Sequence, residues 1–237
     1  IQNKPTHVGV SNIRGDGTSV PMYVDFLKNN RVGRINTNDT DTIWNAGTYT
    51  INGDLTIDSN ITLHIKPGAI VKITPNRDRM SAGVDVKKPE IIVKGTLKVE
   101  GTAANPVKFI SFVSAPSDTD WYGIRVLPGG SAKIKYAQIK HAYIGVSYQN
   151  TASDTVANCL FDSNCVYGVK AFNNNLVIRN SSFKNMLVGW GVYSNNYSPK
   201  IENNYFENLK YGVSVSGAAA VVTGNKFVGT SISERAI

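Results

Sequence analysis

Four aspartates stand in two polar stretches of the chain: Asp78 and Asp85 in RDRMSAGVDVKKPE, and Asp118 and Asp120 in APSDTDWY. Carboxylates are hard oxygen donors, and several brought to one place hold a calcium ion. These four are the expected metal ligands. The first stretch also carries Lys87, Lys88 and Glu90, so both signs of charge are concentrated there. Aromatic residues form the second set. Trp121 and Tyr122 follow the second acidic stretch, Tyr193 and Tyr197 lie in VYSNNYSPK, and Tyr205 lies in NNYF. A ring turned to solvent covers the apolar face of a sugar, so these five are the expected carbohydrate-binding residues.

Other chemistries find no support. His7, His64 and His141 are far apart, and no H-E-x-x-H, G-x-S-x-G or glycine-rich phosphate loop occurs. Cys159 and Cys165 form neither a disulfide framework nor a zinc site. The net charge of +8 suits an acidic polymer, but the lysines are scattered. No dense basic run interleaves with aromatics as a nucleic-acid groove requires, so no nucleic acid is expected. No apolar run reaches membrane-spanning length. IQNKPTHVGV does not read as a signal peptide; it fits the start of a processed chain or of a fragment.

Positioning these residues falls to a repeat. In the C-terminal half, Ile139, Phe161, Phe183, Phe206 and Phe227 recur with a period of about 22 residues. Ile134, Val156, Ile178, Ile201 and Val222 keep the same register, and Gly145-Val146, Gly168-Val169, Gly191-Val192 and Gly212-Val213 follow the first four anchors. Short apolar strands separated by asparagine and glycine, with no helical periodicity, predict a solenoid of stacked coils. The N-terminal half has the same logic in other words: ITLHI, IVKI, IIV, LKV, VKF and WYGIRV. The fold class is all-β: a single-stranded right-handed parallel β-helix of roughly eight coils, on the order of 40 Å long. Residues 43–237 form the helix. Residues 1–42 depart from the repeat and are expected to cap its open end, partly through Val20–Leu27. No comparable cap ends the C-terminal side, which leaves room for a partner or for further domains of a longer surface protein.

Strict alternation then assigns orientations. Tyr167, Trp190 and Tyr211 share the face of Cys165, Val188 and Leu209 and are expected in the core, with Trp190 open to a local shift because Gly189 and Gly191 flank it. Asn158, Asn180 and Asn203 are expected as an inward ladder at a bend. Lys140, Asp162, Lys184 and Glu207 alternate in sign and predict exposed ion pairs up the stack.

The stretches NITLHIKPGAIVKI, IIVKGTLKVEGTAANPVKFIS and WYGIRV resemble the opening coils of pectin-lyase-like right-handed β-helix proteins. The likeness spans about residues 43–230. It implies a secreted or surface-attached protein, but it does not choose an activity, because the fold hosts lyases, hydrolases, adhesins and non-catalytic modules. The regular coils are poor in acids. The leading expectation is therefore an extracellular, non-catalytic module that binds polysaccharide or cell-surface glycan, or serves as adhesin or stalk. The alternative is a secreted lyase or glycoside hydrolase acting on acidic polysaccharide. No cofactor is expected, calcium entering only with the lyase.

Overall fold

A computed structural model describes residues 30–35, 42–78, 80–149, 153–172, 175–195, 198–217 and 219–229. Among these residues every regular element is a strand, and no helix is long and apolar enough to cross a membrane. The strands wind into a right-handed parallel β-helix of about eight coils with three faces. The first face is an eight-stranded parallel sheet with one strand per coil, from Ile43–Trp44 to Val221–Thr223. The second and third faces join into a thirteen-stranded sheet. They join because Gly47–Ile57, Ser182–Asn195 and Tyr205–Ser216 each run round the corner between them. Gly47–Ile57, for instance, pairs with Ala69–Ile73 through its first half and with Glu90–Val93 through its second.

Alternation in the sequence builds the core. In Ala69–Ile73 and Val107–Ser111 every second residue is buried. The period of about 22 residues places like residues in register. Phe161, Phe183, Phe206 and Phe227 pair in turn, and their rings stack at 4.9, 4.9 and 4.8 Å. These spacings equal the separation of neighbouring strands, so the rings follow the pitch of the helix without strain. The sign-alternating column also forms: Lys140 pairs with Asp162 at 2.8 Å and Lys184 with Glu207 at 2.7 Å.

The asparagine column takes a different job from the expected one. Asn158, Asn180 and Asn203 have φ of 56°, 50° and 55°, with Tyr136 below and Gly224 above in the same state. A one-residue corner requires left-handed backbone, which asparagine tolerates. Asn180 and Asn203 consequently point to solvent. The inward ladder is the next column. Ser181 N–H donates to Asn204 Oδ1 at 2.9 Å, Asn204 N–H donates to Asn225 Oδ1 at 2.9 Å, and Cys159 N–H donates to Ser181 Oγ at 3.1 Å.

Coil stacking starts earlier than residue 43. Asn30–Ile35 pairs in parallel with Thr50–Ile57, inside the segment expected to be a cap. Val20–Leu27 lies outside the described residues.

Candidate functional site

The third face carries the aromatic residues, and a slip in alternation puts them there. Gly145, Gly168, Gly191 and Gly212 point into the core: a Cβ on each would meet the ring of Phe161, Phe183, Phe206 and Phe227 respectively. The valines that follow, Val146, Val169, Val192 and Val213, are also buried. Two consecutive inward positions break the period of two. Before Gly168, Gly191 and Gly212 the preceding residue is therefore turned out, whereas Ile144, before Gly145, stays buried. Tyr167, Trp190 and Tyr211 are paired in register and partly exposed. The core placement expected for this column is corrected: strict alternation across a glycine that lacks a side chain assigns the wrong parity.

These rings form a cluster with two orientations. Trp190 stacks on Tyr211 with centroids 4.3 Å apart. Tyr193 stands at 66° to Trp190, tilts against Tyr167 at 5.5 Å and meets Phe172 at 6.1 Å. Lys170 lies among them, its Nζ 4.9 Å from the Tyr167 ring and 4.9 Å from the Phe172 ring. It has no acidic partner among the described residues, and burial lowers its pKa from the usual lysine value. On the earlier coils Tyr122 tilts against Tyr143 at 5.7 Å on the same face.

The same face continues into a cavity. Register runs from Thr56 to Ile92, Arg125, Ser147, Lys170 and Tyr193, one residue per coil. The first three of these line a cavity of about 450 Å3, together with Arg34, Asp54 and Lys94. Its outer wall is formed by Met80, Ala82, Gly83 and Val84, from the stretch between Ile73 and Glu90 that leaves the corner between second and third faces and folds back over the third. Buried carboxylates hold it there. Ala82 and Gly83 N–H donate to Asp54 Oδ2, each at 2.7 Å, and Glu90 N–H donates to Asp54 Oδ1 at 2.9 Å. Glu90 accepts from Val84 N–H and from the Arg125 guanidinium, each at 2.5 Å. Burial, reinforced by the Asp78 and Glu90 charges, pushes the Asp54 carboxyl up to about 6.

The residues expected from sequence divide accordingly. Tyr122 and Tyr193 lie on the third face. Trp121 is fully buried, its indole N–H donating to the Lys140 carbonyl at 2.8 Å, so it offers no ring to a ligand. Alternation explains this, since Trp121 pairs with inward Ala142. Tyr205 stands on the second face between Lys184 and Lys226, at 5.2 and 5.8 Å from its ring. Tyr197 lies outside the described residues.

The four aspartates are put to separate uses. Asp78 accepts from Asp54, Met80 and Ser81 N–H. Asp85 accepts from Lys87 and Lys88 N–H. Asp118 is exposed beside Ser117, and Asp120 is buried beside His141, to whose carbonyl it donates its N–H at 3.0 Å. Burial, reinforced by the Asp118 charge, pushes the Cys165 thiol up. Among the described residues no three of His, Cys, Asp and Glu are arranged to hold a metal ion. Cys165 itself is only partly buried. Its expected neighbour Val188 is exposed, because Leu209 pairs with Met186 and residues 187–189 bulge outward.

Sequence reasoning turned Tyr167 and Tyr211 inward, allowed Trp190 only a local shift, and missed Tyr143, Phe172 and Lys170. The available signal was the Gly-Val pair itself, since a repeated glycine beside a repeated phenylalanine marks close packing. The Asp54–Glu90 latch left no local signal, its members being far apart in the chain.

Comparison with known proteins agrees with this architecture. The family described as pectate-lyase like beta helix domain matches residues 33–157, and the right handed beta helix region matches residues 115–232. No curated protein and no solved structure matched the chain.

Proposed function

Because the chain belongs to the pectate-lyase-like β-helix family, we propose that it is an extracellular carbohydrate-binding module whose third face receives a polysaccharide or cell-surface glycan. The observation that carries this reading is the outward cluster of Tyr167, Trp190, Tyr193 and Tyr211 around Lys170. Rings set at two angles suit a sugar, which presents an apolar face and a rim of hydroxyls at once. Lys170 supplies a charged donor for a hydroxyl or an acidic group. The cluster lies on a parallel sheet anchored by the phenylalanine stack, so binding would require little ordering of the backbone.

Retention on insoluble cellulose, chitin and pectin tests the reading. Wild type should bind at least one of them, and Trp190→Ala and Tyr193→Ala should each weaken that binding by about tenfold or more. Retention by none of a broad glycan panel would remove the proposal.

The cavity favours a second reading, polysaccharide cleavage. Asp54 lines it beside Arg125 and Lys94, and Asp54 holds its proton up to about 6, the range of a general acid. Against this, both Asp54 oxygens already accept backbone N–H groups. Release of soluble products from polygalacturonate with added calcium, abolished by Asp54→Asn, would favour cleavage over binding alone.

A further inference from the structure

Apart from Tyr143 on the third face, large hydrophobic side chains exposed among the described residues fall in three places. Ile43 is on the first coil. Val221, Val222, Phe227 and Val228 are on the last described coil, with no described coil beyond it. The remainder gather at the corner between second and third faces. Val84 and Val86 stand on the 74–89 segment, Phe112 and Val113 on the 112–120 segment, and Leu187 and Val188 on the bulge of Ser182–Asn195. Leu187 is 67% exposed and Val188 58%.

Nothing in the fold calls for the bulge. Coil seven passes the same corner with one residue, Lys210, where coil six uses Leu187, Val188 and Gly189. A Cβ on Gly189 would strike the Val166 and Cys165 carbonyls, so the loop is held tightly at its base while its two aliphatic side chains project. The tips belong to the second, third and sixth coils, which spreads them along about 19 Å of a straight edge.

Basic groups accompany each tip. Lys72 Nζ is 5.7 Å from the Phe112 ring, Lys87 is exposed beside Val86, and exposed Lys210 opposes the bulge. None of the three forms an ion pair among the described residues, and the chain carries +8 overall. Separate apolar tips on a straight edge, each with a lysine that forms no ion pair among the described residues, match a planar and deformable anionic surface rather than the shaped hollow of a protein partner.

We propose that the corner bearing Val84, Val86, Phe112, Val113, Leu187 and Val188 docks on an anionic lipid bilayer, the side chains entering the headgroup layer and the lysines meeting lipid charge. This reading is independent of the glycan face. Lysine attraction falls with salt, and tip insertion does not.

Co-sedimentation with vesicles tests it. The full chain should pellet with phosphatidylcholine vesicles containing phosphatidylglycerol and much less with phosphatidylcholine alone. Val86→Asp/Val113→Asp and Leu187→Asp/Val188→Asp should each lower the bound fraction by about tenfold at equal lipid. Serine pairs at the same positions serve if an aspartate pair fails to melt like wild type. Failure to pellet with either vesicle would overturn the proposal, as would equal binding by wild type and variants. Self-association of the wild type in light scattering, lost in the same variants, would instead assign the corner to a second copy. Retained glycan binding in these variants is expected and keeps the two readings separate.

Discussion

Gly191 and Gly212 occupy equivalent places in successive coils, yet the structure assigns them unequal tolerance. A Cβ on Gly191 would lie 2.7 Å from both Phe206 Cδ1 and Cε1 and 2.8 Å from the Gly212 carbonyl oxygen. Phe206 is fully buried between Phe183 and Phe227, so its ring has nowhere to turn. The carbonyl belongs to the sheet and cannot yield either. A Cβ on Gly212 would meet only the Phe227 ring, at 2.5 and 2.7 Å, and Phe227 is 39% exposed. Overpacking a closed site costs about 1–3 kcal/mol. Gly191→Ala should fall in the upper half of that range, and Gly212→Ala below about 1 kcal/mol. The unfolded-state gain of Gly→Ala, about 0.4–1 kcal/mol, applies to both and cancels in the comparison. Thermal melts should separate the variants at about 2–4 °C per kcal/mol for a chain of this size. In a Phe206→Ala background the cost of Gly191→Ala should shrink by about 1 kcal/mol but persist, because the carbonyl remains. Equal melting of the two alanine variants, or a greater loss for Gly212→Ala, would refute the inward-glycine account and with it the outward turn of Trp190.

Other expectations concern buried polar groups. Asn204→Ala leaves the Ser181 N–H without its acceptor and the Ile178 carbonyl without a donor, and should cost about 2–4 kcal/mol in urea unfolding. Asn225→Ala, nearer the end of the ladder, should cost less. Asp54 has a folded-state pKa near 6, above the ordinary 3.8, so the folded state takes up its proton first. Its favourable contribution is complete below about pH 4 and lost as pH rises through 6, by at most about 3 kcal/mol. Wild-type stability minus that of Asp54→Asn should fall over that interval; Asp85, Glu100 and Asp162, whose pKa values are lowered, slope the other way and cancel in the difference. Burial pushes the Cys159 thiol up to about 12, so a thiol reagent at neutral pH should leave Cys165→Ser unlabelled until the protein unfolds.

The fold was legible because its signal is periodic. Phe161, Phe183, Phe206 and Phe227 announce both the coil length and the interior, and the alternating charges of Lys140, Asp162, Lys184 and Glu207 announce parallel neighbours. The site was less legible, because it depends on departures from period. Parity across Gly191 cannot be read without knowing that its missing side chain makes room for Phe206. The bulge at Leu187–Val188 shifts the column that pairs Val188 with Leu209 on paper, whereas Met186 takes that place in the fold. Trp121 and Tyr122 look alike as neighbours after a loop, but one enters the core and the other does not. Asp54 carries no hint of its partners, since Ala82, Gly83 and Glu90 reach it only when the 74–89 segment folds back.

Tryptophan fluorescence tests the central claim most directly. The chain has three tryptophans; Trp44 and Trp121 are fully buried, and Trp190 alone is partly exposed. Titration with soluble fragments of the retained glycan should give a saturable change in emission, and Trp190→Phe should abolish the change. An unaltered spectrum at glycan concentrations that saturate binding, or a change that survives in Trp190→Phe, would place the glycan elsewhere on the rod.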